Sequence, residues 1–147
     1  EDVMQGIYTA IVTAFQDNGK IDEKGTRSVI RHSIDHCKAD GILVGGTMGE
    51  RYKMSTESMK RLLEVAAAEI NGKVDMAANI SAISREEVLE LESAAAANGY
   101  ATATLIAPIF HKYSEEEIKQ YYYDIADHSK LPLMIYVIPS FSGVNFD

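Results

Sequence analysis

The chain has 147 residues, 46% of them hydrophobic and 24% charged, the balance of a globular domain with a sizeable core. Its formal net charge is −8, with no basic cluster, which argues against nucleic acid or an anionic membrane surface as a partner. One cysteine, Cys37, leaves no internal disulfide, no apolar run approaches the ~18 residues of a membrane span, and Glu1-Asp2-Val3-Met4 lacks the features of a signal peptide, so cytoplasm is the expected compartment.

The elements alternate between strand and helix. Residues 7–13 form a β-branched run ending at the turn Asp17-Asn18-Gly19. Asp22 is placed to cap a helix with the apolar stripe Ile30, Ile34 and Cys37. Residues 41–46 hold a short apolar strand, Ile42-Leu43-Val44, between glycines. Ser55 is placed to cap a helix with the stripe Met59, Leu62, Leu63, Ala66 and Ile70, which Asn71-Gly72 stops. Residues 74–80 read as a strand. Ser84-Arg85-Glu86-Glu87 is a capping-box pattern for a helix running through Val88, Leu91 and Ala95 to Asn98-Gly99. Residues 101–107 form a fourth strand ending at Pro108. Ser114-Glu115-Glu116-Glu117 is a second capping box, opening a helix with Ile118, Tyr122, Ile125 and Ala126. Residues 133–138 make a fifth strand closed by Pro139, and residues 140–147 read as a loop before another helix.

Strands separated by helices at intervals of roughly 30 residues imply βαβ units and a parallel sheet. No linker or composition shift divides the chain, so residues 1–147 read as one domain. Periodicity leaves two architectures open, a small doubly wound sheet and part of a barrel. The lack of a G-x-G-x-x-G after the first strand disfavours a dinucleotide-binding fold.

In either architecture, chemistry collects at the carboxyl ends of the strands. The informative ends are Thr13-Ala14-Phe15, Gly45-Gly46-Thr47-Met48-Gly49-Glu50, Pro108-Ile109-Phe110-His111 and Tyr136-Val137-Ile138-Pro139. In the second, glycines let backbone N–H groups approach a small anion, and Thr47 adds a hydroxyl. That stretch resembles the G-[ST]-T-G-E loop of the dihydrodipicolinate synthase and N-acetylneuraminate lyase family. Thr13-Ala14-Phe15 with its following turn resembles the family's T-P-F opening, and Tyr136 to Pro139 its Y-N-[IV]-P strand. The double glycine before Thr47, Tyr113-Ser114 and Ser142-Gly143-Val144 resemble the sialic acid lyase branch.

The resemblance covers the whole chain. It implies a TIM (β/α)₈ barrel, with this chain supplying about the first five strands and four helices. It further implies a cytoplasmic homotetramer acting on a 2-oxo acid or sialic acid, with neither metal nor organic cofactor. In the family a lysine amine forms a Schiff base with the keto carbon of pyruvate, and the iminium is the electron sink for carbon–carbon bond cleavage. The implied reaction is cleavage of N-acetylneuraminate to pyruvate and N-acetylmannosamine. Tyr136 matches the proton-shuttling tyrosine, and Thr47 a hydroxyl of the carboxylate loop. The N–H groups around Gly46, Thr47 and Met48 are expected to face that carboxylate.

The sequence also departs from the family. The Schiff-base lysine belongs to a sixth strand, beyond Asp147, so the 147 residues alone are expected to be inactive; Lys112 and Lys130 match no catalytic position. Met48 replaces a threonine, and Phe110 replaces a tyrosine of the proton relay while keeping a place beside the substrate. His32 and His36 have a metal-compatible i, i+4 spacing but no third ligand. His111 reads first as an exposed loop residue, with contact to substrate as the alternative, and Tyr121 to Tyr123 form a stripe expected to pack on the barrel. Five strands of a barrel would leave inner-face residues such as Ile42 to Val44 and Leu133 to Ile138 in water. The rest of the polypeptide or a second chain is expected to cover them. Two alternative readings remain. One is another activity of the family, dihydrodipicolinate synthase or keto-deoxy sugar acid aldolase; the other is a non-catalytic half-barrel binding or assembly module.

Overall fold

The structure is a computed structural model and describes residues 4–109 and 111–144. Its strands are β1 (Tyr8–Ala10), β2 (Gly41–Val44), β3 (Asp75–Asn79), β4 (Thr102–Leu105) and β5 (Leu133–Ile135). Helices α1 (Glu23–Asp35), α2 (Thr56–Ile70), α3 (Arg85–Ala97) and α4 (Glu115–His128) fall between them, and α5 (Pro139–Ser142) follows β5. The strands lie in the order β1-β2-β3-β4-β5, every neighbouring pair parallel. A doubly wound sheet reverses its strand order at a switch point. This one advances in one direction throughout, as a barrel wall does.

Local chemistry sets the helix starts. Asp22 accepts a hydrogen bond from Gly25 N at 3.1 Å, and Ser55 accepts one from Ser58 N at 3.1 Å. Ser84 with Glu87 and Ser114 with Glu117 form complete capping boxes. Each satisfies backbone N–H groups that a helix leaves unpaired. Asn71 ends α2 in the left-handed region (φ 46°).

The core lies between helices and sheet. Ile42, Val44, Ala78, Ala103 and Leu105 from the strands meet Met59, Leu62, Leu63, Val88, Leu91 and Ile125 from the helices, all fully buried. Ion pairs join neighbouring helices: Arg61 to Glu23, Arg31 to Glu69, Lys60 to Glu90 and Arg85 to Asp124. They are solvent-facing, so the apolar layer beneath them contributes most of the stability.

Several sequence expectations are corrected. Cys37 is exposed and outside the core, because α1 ends at Asp35 and the backbone turns at Lys38 (φ 56°). Ile42 and Val44 point toward the helices and are buried, while Ile135, paired with Leu105 on that same side, is exposed on the edge strand β5. Successive strand residues face opposite ways, so an apolar run does not identify its own exposed face. Pro139–Ser142 is a single helical turn rather than loop, since proline fixes a helical φ at a first position; residues 145–147 lie outside the described residues. Of the tyrosine stripe, Tyr122 is buried and Tyr121 half-buried, while Tyr123 is exposed, as three consecutive helical residues must diverge.

A buried carboxylate escaped the sequence reading. Glu92, on α3, is 1% exposed. Its carboxylate accepts hydrogen bonds from Ser129 Oγ (3.0 Å), Lys130 N (2.7 Å) and Leu131 N (2.9 Å). It therefore fixes the turn that leads from α4 into β5.

Candidate active site

All five strands point their carboxyl ends the same way, so the loops after them crowd one end of the sheet. There they enclose a cavity of about 410 Å³, of the size that holds a small organic ligand. The loop after β2 contributes Thr47, Glu50, Arg51, Tyr52 and Lys53. Asn79 closes it at the end of β3, Ile106 and Ile109 after β4, and Ile138 and Phe141 after β5. Loops from non-adjacent strands β2 and β5 thus share one wall.

A buried polar network shapes the glycine loop. Asn79 Nδ2 donates to Gly45 O at 2.9 Å. Asn79 Oδ1 accepts from Ser81 N (3.1 Å) and Ser81 Oγ (2.5 Å), and Ser81 Oγ accepts from Ile106 N (3.0 Å). Thr13 Oγ1 donates to Gly49 O at 2.8 Å, tying the chain after β1 to the same loop. Gly49 is closely packed: a Cβ there would lie 3.2 Å from both Gly45 Cα and Ile11 O, so the neighbouring backbone would have to give by a few tenths of an ångström. Gly45 has φ +70°, where glycine carries no steric cost. Glu50 takes the left-handed region without being glycine (φ 58°), a strained conformation of the kind that concentrates at functional loops. Its carboxylate pairs with Lys53 at 2.5 Å.

Thr47 is exposed into the cavity mouth, and Gly46 is buried beneath it. Met48 turns outward, 62% exposed, and does not line the cavity. Tyr136 is half-buried just past β5, where its N–H donates to Leu105 O at 2.9 Å. This continues the β4–β5 ladder, whose last pair is Leu105 with Ile135, and so sets Tyr136 beside Ile106 of the cavity wall. The same alternation puts Tyr136 on the sheet face of Asn79 and Thr104, the face turned from the helices. Phe110 lies outside the described residues. His111 and Lys112 are exposed, as is Lys130. His32 and His36 stack with ring centroids 5.0 Å apart on the outer surface. Among the described residues no cluster of three or more His, Cys, Asp or Glu side chains is placed to hold a metal.

The sequence reading missed three contributors. Asn79 and Ser81 were legible as polar residues terminating an apolar strand. Arg51 gave no signal, since an arginine after a glycine loop reads as a surface charge. It is nevertheless 4% exposed. Burial pushes its guanidinium below its ordinary pKa, with Tyr52 and Glu87 opposing the shift.

Residues 3–147 match the Dihydrodipicolinate synthetase family. The chain belongs to this family. The N-acetylneuraminate lyase of Clostridium perfringens is 40% identical over 142 residues, covering 97% of this chain and 49% of that protein. The N-acetylneuraminate lyase of Haemophilus influenzae is 36% identical over the same length. Among solved structures, CdNal of Clostridium difficile, in complex with mannosamine, superposes with a TM-score of 0.94 at 38% identity, over 97% of this chain and 49% of that one. A dihydrodipicolinate synthase from Aquifex aeolicus superposes at 0.89 with 26% identity, over 95% of this chain and 47% of that one. The chain spans about half the length of the curated relatives it matches, and its five strands are the N-terminal half of the family's TIM barrel. Among the described residues no helix is long and apolar enough to cross a membrane.

Proposed function

We propose that the complete polypeptide carrying these residues is a class I aldolase of the N-acetylneuraminate lyase type, cleaving N-acetylneuraminate to pyruvate and N-acetylmannosamine. Residues 1–147 are part of one barrel domain, and the Schiff-base lysine comes from a later strand of the same polypeptide. The supporting observation is the cavity that joins the Thr47 loop to the loop after Tyr136. The identity to N-acetylneuraminate lyases supports the choice of substrate over the synthase and sugar-acid aldolase alternatives.

The roles follow from placement. Amide N–H groups of the loop at Gly46, Thr47 and Met48 hold the 2-oxo acid carboxylate, a preorganised donor set that needs no net charge. The Thr47 hydroxyl adds a further donor. The Tyr136 phenol moves the proton between the lysine-bound intermediate and the leaving aldehyde. Phe110, in place of a relay tyrosine, passes no proton and serves as an apolar contact, leaving transfer to Tyr136. Lys112 and Lys130 are solvent-facing and outside the cavity wall, which fits a nucleophile from elsewhere. Covering the uncovered sheet face with the remaining strands, and assembly into a cytoplasmic homotetramer, complete the reading.

The test is reductive trapping. Borohydride added to the complete polypeptide with pyruvate is expected to leave one pyruvate-derived adduct on a single lysine, located by mass spectrometry. A folded protein that gains no mass sinks the aldolase reading and favours a binding module.

A further inference from the structure

Arg51 is a buried cation with no ion-pair partner among the described residues. Its side chain is 4% exposed, yet it lines the cavity beside Thr47. Nη1 donates to Met54 O at 3.0 Å, and among the described residues its buried Nε has no partner. The carboxylates of Glu50 and Glu87 are committed elsewhere. Glu50 pairs with Lys53. Glu87 accepts from Thr56 Oγ1 at 2.9 Å and from the Ser84 backbone and hydroxyl in the capping box of α3. No ion pair to Arg51 forms among the described residues, and the Tyr52 ring, 5.9 Å away, offers only its π face. A buried charge left this way is costly unless an anion joins it. An arginine fork is also the side chain best matched to a carboxylate.

The adjoining loop lacks a donor. Met48 has no hydroxyl and points away from the cavity, so within the glycine loop itself, residues 45–49, Thr47 is the side-chain donor that reaches the cavity. We propose that Arg51 is a carboxylate-binding residue of this cavity, taking the charge of a 2-oxo acid held at the Thr47 loop. The inference rests on the 2-oxo acid reading and adds a cation to it. It also explains how a chain of net charge −8 retains an anion: the local guanidinium offsets the repelling global field.

The experiment measures pyruvate and its neutral amide, pyruvamide, against the complete protein by calorimetry, with Arg51→Met and Arg51→Lys as variants. Arg51→Met is expected to weaken pyruvate binding about tenfold or more, as loss of a charged hydrogen bond does, and to leave pyruvamide unchanged. Arg51→Lys is expected to keep most of the preference for pyruvate. Equal pyruvate affinity in wild type and Arg51→Met overturns the assignment while leaving the aldolase reading intact. Failure of the wild type to bind pyruvate removes both. Should Arg51→Met not fold, the wild-type protein decides: the Arg51 Nε–H resonance is expected to shift with pyruvate and not with pyruvamide. A resonance unmoved at saturating pyruvate overturns the proposal.

Discussion

Asn79→Ala is the perturbation that tests the site's architecture most sharply. Asn79 is 3% exposed and spans β2 and β3, donating to Gly45 O at 2.9 Å while accepting from Ser81 N and Oγ. Alanine leaves the Gly45 carbonyl and the Ser81 N–H buried without partners. Each orphaned group costs about 1–3 kcal/mol, so the expected destabilisation for the two is about 2–6 kcal/mol. Ser81→Ala loses the bonds through its hydroxyl but keeps the Asn79 contact to Gly45, and is expected to cost less. Because the two residues share a 2.5 Å bond, the double variant is expected to fall short of the sum by about 1 kcal/mol. Urea denaturation gives all three values if the m-value stays constant. A loss below about 0.5 kcal/mol for Asn79→Ala, or strict additivity, would refute the claim that this network holds the glycine loop.

Three further outcomes follow from the same geometry. Glu92→Ala removes the acceptor for Ser129 Oγ, Lys130 N and Leu131 N and is expected to cost about 2–4 kcal/mol, with hydrogen exchange of the Lys130 and Leu131 amides accelerating while that of α2 amides changes far less. Tyr136→Phe keeps the ring packing but deletes the proton carrier, so kcat of the complete enzyme is expected to fall by at least about 100-fold with a much smaller change in KM; a variant that retains full kcat would exclude the assigned role. Acid sensitivity follows from carboxyls held below their ordinary range: Glu87 by Thr56 and Ser84, Glu117 by the Ser114 backbone and hydroxyl, Asp124 by Arg85. Their folded pKa values are depressed, so their contribution is fully present above the unfolded carboxylate range and is lost as pH falls through the lowered values. The denaturation midpoint is expected to drop between about pH 5 and about pH 3, and less so in Ser84→Ala, where part of the Glu87 shift is absent.

Helix starts were legible because their signals are local. Asp22, Ser55, Ser84 and Ser114 each cap within three residues of themselves, and the structure bears out all four. The barrel was not legible from periodicity, since βαβ units look alike in both parallel architectures; strand order is a non-local property that entered only through the family's motifs and the structure. Thr47 at the cavity was readable from its glycines. Arg51 and Glu92 were not, because a charged residue in a loop or on a helix looks solvated until tertiary packing buries it. Cys37 failed in the opposite direction: its helical spacing is apolar, but the helix stops before reaching it.

The central claim is that the Thr47 loop and Tyr136 serve one bound 2-oxo acid. A crystal structure of the complete protein after reductive trapping with pyruvate tests it directly. The account predicts the carboxylate of the lysine adduct at about 3 Å from the loop amides and Thr47 hydroxyl, with the Tyr136 phenol facing the former keto carbon. An adduct whose carboxylate sits away from that loop, or a Tyr136 ring directed out of the cavity, would contradict it.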